Sequence, residues 1–164
     1  IIIAGGAGYL GQHLINRLGK EHEIIILSRS NNRQISKNIS LINYSRDIST
    51  WSKYLKDSDV IINLVGESIA NKRWSQKQKK IILDSRLNSI QRISKSLKLI
   101  NHSPRLIMSA SAVGYYKSTS AVIDEEGFAG EDFLSNVCVQ WEREATDKFS
   151  GQTQQLILLR IEHT

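Results

Sequence analysis

Short apolar runs that alternate with longer amphipathic segments constrain the fold of this chain more than any other feature. The runs are rich in isoleucine, leucine and valine and lack the polar alternation of a half-exposed strand, so they predict strands buried on both faces. These predicted strands span residues 1–4, 23–27, 40–44, 60–65, 105–108 and 155–159. Helical spacing of apolar residues predicts helices over 12–20, 49–55, 76–99 and 133–149. Strand and helix in alternation predict an α/β fold, a doubly wound parallel sheet with helices on both faces.

The length of the chain sets the number of domains. With 164 residues the chain can enclose one hydrophobic core but is too short for two full domains. Segments 31–38 and 111–130 lack periodicity and are predicted as loops within that domain. We therefore expect one domain over residues 1–164. The chain begins at Ile1 without a methionine and stops just after an apolar run, so we also expect trimmed ends.

Composition excludes several classes of protein. Hydrophobic residues are 40% and charged residues 23%, as in a folded globular domain and unlike a disordered or collagenous chain. No apolar stretch approaches the roughly 20 residues that a membrane helix needs. The single cysteine, Cys138, excludes an internal disulfide, and no signal peptide is visible. We expect a cytoplasmic protein with no membrane partner.

A glycine-spaced turn follows the first predicted strand. Glycines at positions 5, 8 and 11 recur at three-residue spacing directly before a predicted helix. In a nucleotide-binding turn, Gly5 would permit the tight bend, Gly8 would let backbone approach a pyrophosphate, and Gly11 would let the helix pack closely on the strand. The helix N-terminus would then face the anion. The alternative is a glycine-rich turn that holds no ligand.

The residues at the end of the second predicted strand distinguish an NAD site from an NADP site. An NAD site usually has an acidic residue there, which binds the ribose 2′-hydroxyl. This chain has Ser28 and Arg29 instead. A serine hydroxyl and a guanidinium suit a 2′-phosphate, so the expected cofactor is NADP(H). The alternative is that Arg29 is a solvated loop arginine.

Several segments together resemble one known family. They are Asn63-Leu64-Val65-Gly66-Glu67, Lys72-Arg73-Trp74, Ile82-Leu83-Asp84-Ser85-Arg86, Ser109-Ala110-Ser111-Ala112-Val113-Gly114-Tyr115-Tyr116, and Phe133-Leu134-Ser135-Asn136-Val137-Cys138 followed by Trp141-Glu142. With the glycine turn, they resemble an atypical, epimerase-family branch of the extended short-chain dehydrogenases/reductases, often labelled nucleoside-diphosphate-sugar epimerases. The resemblance spans nearly the whole chain. It implies a Rossmann-like NADP-binding domain followed by a smaller substrate domain, most of which is absent from these residues.

The resemblance also implies positions for the cofactor. It assigns the 2′-phosphate to Ser28 and Arg29 and leaves Arg86 either facing the cofactor or on the helix surface. Glu67 would reach the ribose or the substrate, and Ser109 would lie close to the cofactor. The implied contacts with the pyrophosphate and the adenosine are Gly5, Gly6, Gly8, Tyr9, Leu10, Gly11, Leu64, Val65 and Gly66.

The usual catalytic pair of short-chain reductases is missing from the chain. These enzymes use a Tyr-x-x-x-Lys pair with an upstream serine, and a tyrosinate exchanges a proton with the substrate. Ser111 fits the serine position, but the helix that should carry the pair reads Asn-Val-Cys-Val-Gln-Trp-Glu over 136–142. We expect Ser111 to orient a substrate oxygen and Tyr115 to supply a proton. Cys138 is expected to be a buried structural thiol.

Three hypotheses of function follow. The first is an NADP-dependent oxidoreductase or epimerase of unknown small-molecule substrate. The second is a non-catalytic NADP(H)-sensing or scaffold protein, motivated by the missing pair. The third is nucleic-acid binding, motivated by the net charge of +6; the basic residues are spread along the chain, so we expect no nucleic-acid partner. The four histidines are scattered, which predicts no metal site. A homodimer is left open.

Overall fold

The structure, a computed structural model, describes residues 1–70, 72–119 and 122–162. The strands are β1 Ile2–Ala4, β2 Ile24–Ser28, β3 Arg33–Ser36, β4 Ile39–Asn43, β5 Val60–Asn63, β6 Leu106–Ala112 and β7 Gln155–Ile161. The α-helices are α1 Tyr9–Leu18, α2 Ile48–Trp51, α3 Gln76–Leu99 and α4 Phe133–Phe149. Two short 3-10 helices span Ser52–Leu55 and Val113–Tyr115.

The strands form one seven-stranded sheet in the order β3-β4-β2-β1-β5-β6-β7. Every neighbouring pair is parallel except β3 and β4, which are antiparallel. From β1 the chain builds one half of the sheet through β2 and the other half through β5, so the strand order reverses beside β1. Such a reversal opens a crevice at the carboxyl ends of the strands, where α/β proteins bind ligands. The predicted doubly wound sheet is confirmed.

Helices cover both faces of the sheet, as predicted. On one face, α3 and α4 bury a large cluster that includes Trp51, Ile90 and Phe149. On the other face, α1 packs Leu14 and Ile15 against a smaller cluster of buried isoleucines and leucines. The central strands β1, β2 and β5 are therefore buried on both sides, which is why their sequences are continuous apolar runs.

Several predictions of local structure differ from the structure. The helix predicted over 12–20 spans Tyr9–Leu18, and the strand predicted over 60–65 ends at Asn63. Residues 31–38 were expected to form a loop, but Arg33–Ser36 pairs with β4 as an edge strand. All four of its residues are exposed, so the strand has no apolar face to mark it in the sequence. The strand predicted over 105–108 continues to Ala112 because small serines and alanines fill its buried second half.

The two long helices have the predicted bounds, and capping explains where they begin. Ser75 precedes α3, and its hydroxyl accepts a hydrogen bond from the Gln78 N–H. Asp132 precedes α4, and its carboxylate accepts one from the Ser135 N–H. Each cap satisfies an N–H that has no partner within the helix. Within the described ranges, no helix combines the length and apolar character needed to cross a membrane.

Candidate functional site

A cleft of about 310 Å³ opens at the carboxyl ends of β1, β5, β6 and β7. The first turn of α1 closes one side, and α3 and α4 supply residues on the other. Ten of the residues predicted for the site line it, namely Gly5, Gly8, Tyr9, Leu10, Gly11, Leu64, Gly66, Glu67, Arg86 and Ser111. Six others, Gly6, Ser28, Arg29, Val65, Ser109 and Tyr115, lie outside its lining.

At two positions of the glycine turn, Gly5 and Gly11, the backbone leaves no room for a side chain. Gly5 has a φ of +79°, and a Cβ there would lie 2.9 Å from the Leu64 carbonyl carbon. A Cβ on Gly11 would lie 2.7 Å from the Gly6 carbonyl carbon. The close contact of Gly11 is therefore with the loop at Gly6, whereas the sequence pointed to the strand. This contact draws the start of α1 against the loop and leaves the space above it open.

The N-terminus of α1 faces this space. The helix has ten residues and begins after Gly8, which supplies no side-chain cap. The first N–H groups of an α-helix have no partner within the helix and carry the positive end of its dipole. Tyr9, Leu10 and Gly11 of this first turn all line the cleft. The arrangement fits an anionic group such as a pyrophosphate.

Ser28 and Arg29 lie at the end of β2, next to the glycine loop along the sheet. The Gly5 N–H donates to the Leu27 carbonyl, which joins the loop to this strand end at 3.1 Å. The Ser28 hydroxyl accepts a hydrogen bond from the Ser30 N–H at 3.3 Å. Arg29 is exposed, and its charge opposes the rise in the Tyr44 pKa that burial causes. The end of β2 thus adjoins the loop through its backbone, and neither side chain lines the cleft.

Arg86 reaches the cleft from the middle of α3. Its Nη1 donates to the carbonyl oxygens of Ile82 and Glu67, at 2.8 and 3.1 Å. Its guanidinium lies over the ring of Trp141, 4.8 Å from the centroid. Among the described residues its Nε has no hydrogen-bond partner. Burial lowers the pKa of Arg86, so this side chain is a desolvated cation in the cleft wall rather than a surface arginine.

Three predicted cofactor residues lie outside the lining of the cleft. Ser109 is fully buried in β6, and its hydroxyl has no partner within the described ranges. The Val65 N–H donates to Asn63 Oδ1 at 3.3 Å, which holds the bend after β5. Gly6 packs against Gly11. These residues shape the floor on which a ligand would rest.

Ser111 is joined to a carboxylate on the neighbouring helix. Its hydroxyl donates to Glu142 Oε1 at 2.6 Å, and both side chains are buried. Arg160, from β7, donates to both oxygens of the same carboxylate, from Nε at 2.8 Å and from Nη2 at 2.9 Å. These hydrogen bonds raise the pKa of Arg160 above its ordinary value. The carboxylate of Glu142 is thereby fixed against Ser111.

Tyr115 and Tyr116 lie on the outer side of this network. The Arg160 guanidinium carbon is 3.7 Å from the centroid of the Tyr115 ring. The Tyr116 hydroxyl accepts a hydrogen bond from Arg160 Nη1 at 2.8 Å. Tyr115 therefore contacts the arginine, while Ser111 borders the cleft. A proton-donating role for Tyr115 stays a prediction.

Sequence reasoning missed the pairing of Glu142 with Arg160. Both residues are visible in the sequence, since Arg160 interrupts an apolar strand and Glu142 lies on the inner face of α4. A charge inside a buried element requires a partner of opposite sign, which was the available signal. Their separation along the chain gave no reason to join these two residues in particular.

Cys138 and the histidines show no sign of a separate site. Burial raises the pKa of the Cys138 thiol, opposed by hydrogen bonding to Ala112 and Ser111. A protonated, buried thiol agrees with a structural role. Among the described residues, no group of three His, Cys, Asp or Glu side chains could hold a metal ion. His163 lies outside the described residues.

The fold and the glycine loop define a Rossmann-like α/β domain with its cleft beside β1. The model of the NAD dependent epimerase/dehydratase family matches residues 1–136. The chain therefore belongs to this family, and the resemblance read from its motifs is confirmed.

Relatives of known sequence carry the same family name. The chain is 37% identical over 145 residues to epimerase family protein SH2119 of Staphylococcus haemolyticus, covering 87% of this chain and 48% of that protein. It is 34% identical over 147 residues to epimerase family protein YfhF of Bacillus subtilis, covering 88% of this chain and 48% of that one. The chain thus spans about half the length of the curated relatives it matches.

Solved structures give the same fold. Human epimerase family protein SDR39U1 (isoform 2), solved with NADPH, has a TM-score of 0.77 at 26% identity, covering 97% of this chain and 52% of that chain. MoeE5 in complex with UDP-glucose and NAD has a TM-score of 0.76 at 19% identity, covering 97% and 52%. The second likeness concerns the fold alone. Of these two neighbours, the human protein was solved with NADPH and MoeE5 with NAD.

Proposed function

We propose that this protein is an NADP(H)-dependent oxidoreductase or epimerase that acts on a small molecule. The observation that carries the proposal is the uncapped N-terminus of α1 above the glycine loop, with Ser28 and Arg29 at the adjacent strand end. The first feature suits a pyrophosphate, and the second suits a phosphate on the neighbouring ribose. A human relative of the same family, 26% identical, was solved with NADPH, which supports the choice of NADP(H).

Each part of the cleft has a role in this proposal. The glycine loop and the first turn of α1 hold the pyrophosphate, Arg29 pairs with the 2′-phosphate, and Leu64 and Gly66 lie along the ribose. A bound nicotinamide would supply the hydride chemistry. Ser111 is the polar group of β6 that meets the substrate oxygen. The desolvated guanidinium of Arg86 offers a cation to an anionic part of either ligand.

Cofactor choice is tested by binding measurements. Arg29→Ala removes charge-assisted hydrogen bonds to a 2′-phosphate, each worth about 1.5–3 kcal/mol, so NADPH should bind roughly 10–100-fold more weakly. NADH lacks that phosphate, and its affinity should not change. Titration calorimetry gives both constants. Arg105→Ala, which removes an exposed arginine at the amino end of β6, is the matched control. A wild-type preference for NADH would contradict the assignment.

Turnover is tested separately. Labelled NADPH is incubated with the protein and a panel of ketones, aldehydes and nucleoside-diphosphate sugars, and transfer of the label is followed. Transfer above background that is lost in Ser111→Ala supports an oxidoreductase or epimerase. Tight NADPH binding with no transfer across the panel would contradict it and favour a protein that senses the cofactor without chemistry.

A further inference from the structure

The short hydrogen bond between Ser111 and Glu142 has consequences for chemistry in the cleft. A serine hydroxyl has one proton, and in this structure that proton is directed to Glu142 Oε1 at 2.6 Å. Toward a ligand in the cleft, the Ser111 oxygen can therefore only accept a hydrogen bond. The ligand group that suits it is a donor, such as the hydroxyl of an alcohol, rather than a carbonyl.

The surroundings hold the carboxylate of Glu142 in a fixed position. Two nitrogens of Arg160 bind its two oxygens, and the exposed side-chain fractions of the pair are only 19% and 10%. A bidentate ion pair of this kind fixes the plane of the carboxylate. The Tyr115 ring and the Tyr116 hydroxyl in turn hold Arg160. Arg160 is thus a positioning residue for Glu142.

Three ionisable neighbours, Cys138, Arg86 and Arg160, do not accept the Ser111 proton. Cys138, on the same helix, interacts with Ser111 and Glu142, but burial raises the pKa of its thiol and keeps it protonated. Arg86, from α3, is a cation and accepts no hydrogen bond. Arg160 is likewise a cation. Glu142 is the acceptor that the hydroxyl of Ser111 reaches.

We propose that Glu142 is the base that takes the Ser111 proton, so that Ser111 in turn takes a proton from a substrate hydroxyl. This inference rests on the proposed function and assigns the substrate to the class of alcohols. The substrate O–H bond breaks and an O–H bond forms on Ser111 Oγ, while the Ser111 O–H bond breaks and one forms on Glu142. The electron pair of the first bond stays on the substrate oxygen. Glu142 with Ser111 thus does the work of the missing tyrosine and lysine.

The test uses a reagent that needs neither cofactor nor substrate. Phenylmethanesulfonyl fluoride modifies serines whose proton is removed as the oxygen attacks. The Ser111 Oγ–S bond forms, the S–F bond breaks, fluoride leaves with the electron pair, and the serine proton passes to Glu142. Mass spectrometry of the full-length protein should locate the modification at Ser111. General-base assistance is worth at least about 100-fold, so Glu142→Gln should slow modification by about that factor.

Matched variants and solvent give the controls. Glu144→Gln makes the same change two residues along α4, where the carboxylate accepts a hydrogen bond from Gln91, and should leave the rate unchanged. Ser111→Ala should remove the modification. Because the proton moves in the slow step, the wild-type rate should fall in D2O, and the residual rate of Glu142→Gln should not.

Three results would overturn the proposal. They are no modification at Ser111 in the wild type, equal rates in wild type and Glu142→Gln, or a wild-type rate that is the same in D2O. The solvent measurement needs only the wild-type protein, so it can overturn the proposal even where the glutamine variant does not fold. NADPH binding, measured on the same samples, reports on the proposed function independently of Ser111 modification.

Discussion

At the scale of single residues, the close contacts of the glycine loop explain why a side chain added there should destabilise the protein. Alanine in place of a helical glycine normally stabilises a helix by about 1 kcal/mol. At Gly11 the sign reverses, since a Cβ would overlap the main chain of Gly6. We expect Gly11→Ala to destabilise the protein by about 1–3 kcal/mol, the usual range for overpacking. Chemical denaturation measures the free energy of unfolding directly.

Gly114→Ala is the control for this substitution. Among the described residues, a Cβ on Gly114 would meet only the Leu134 Cβ, at an ordinary contact distance of 3.6 Å. We expect its free energy of unfolding to stay within about 0.5 kcal/mol of the wild type. If Gly11→Ala had the same free energy of unfolding as Gly114→Ala, the contact between Gly6 and Gly11 would be looser than the structure shows.

Sequence reasoning worked for residues whose role depends on the backbone. The three glycines were assigned to a nucleotide-binding turn from their spacing together with their position between a predicted strand and a predicted helix. It failed for the pairing of Glu142 with Arg160, which depends on how α4 packs beside β6 and β7. The sequence around Glu142 or Arg160 indicates that each charge needs a partner of opposite sign. It does not indicate which residue that partner is.

At the scale of elements, the two long helices were easier to predict than the exposed edge strand. The bounds of α3 and α4 follow from apolar spacing and from Ser75 and Asp132 before their first turns. Strand β3 was missed because its four residues are exposed and it pairs only at the sheet edge. The second half of β6 was missed because serine and alanine are buried there without apolar bulk. Periodicity therefore locates elements with an apolar face and overlooks those without one.

The cap of α4 gives a prediction at this scale. The Ser135 N–H donates to Asp132 Oδ1 at 2.8 Å, and this backbone hydrogen bond is the main cause of the lowered Asp132 pKa. Asp132→Ala should cost about 1 kcal/mol near neutral pH, the usual value of an N-cap. A lowered pKa means that the stabilisation is full above about pH 4, the ordinary aspartate value, and is lost as pH falls through the folded value. Denaturation curves over this range measure the difference.

Asp147→Ala is the control on the same helix. Asp147 pairs with Arg143 at 3.8 Å in an exposed position, where such pairs contribute only about 0.3–0.5 kcal/mol. We expect its loss to be smaller than that of Asp132→Ala at neutral pH. A cost for Asp132→Ala that stayed constant down to the lowest pH would show that the ionised carboxylate is not what caps the helix.

The ion pair between α4 and β7 gives a second prediction for elements. Removing one partner of a buried ion pair leaves the other charge uncompensated, which typically costs about 3–5 kcal/mol. Arg160→Ala should therefore lower the free energy of unfolding by about 3 kcal/mol. Adding Glu142→Gln to this variant should restore part of the loss, because a neutral amide is cheaper to bury than a charge. If Arg160→Ala were as stable as the wild type, the ion pair would be more exposed to solvent than the structure shows.

At the scale of the whole molecule, the sheet brings distant parts of the chain to one edge. Gly5 and Arg160 are far apart in sequence, yet the residues beside β1 and β7 border the same cleft. The order β3-β4-β2-β1-β5-β6-β7 opens that crevice. The segments that follow β1 and β5, together with the carboxyl ends of β6 and β7, line it. The fold was predictable from sequence because alternating strands and helices admit few topologies.

Cofactor binding should appear in the stability of the entire domain. A ligand present at about 100 times its dissociation constant adds about 2.7 kcal/mol to the free energy of unfolding. For a domain of this size that corresponds to a rise of roughly 5–10 °C in the midpoint of thermal unfolding. NADPH should produce such a rise, and NADH at the same concentration should produce a smaller one, because Arg29 has no 2′-phosphate to bind. In Arg29→Ala the two shifts should converge. A larger shift with NADH than with NADPH in the wild type would mean that the end of β2 does not select NADPH. That result would not bear on whether the glycine loop binds a pyrophosphate.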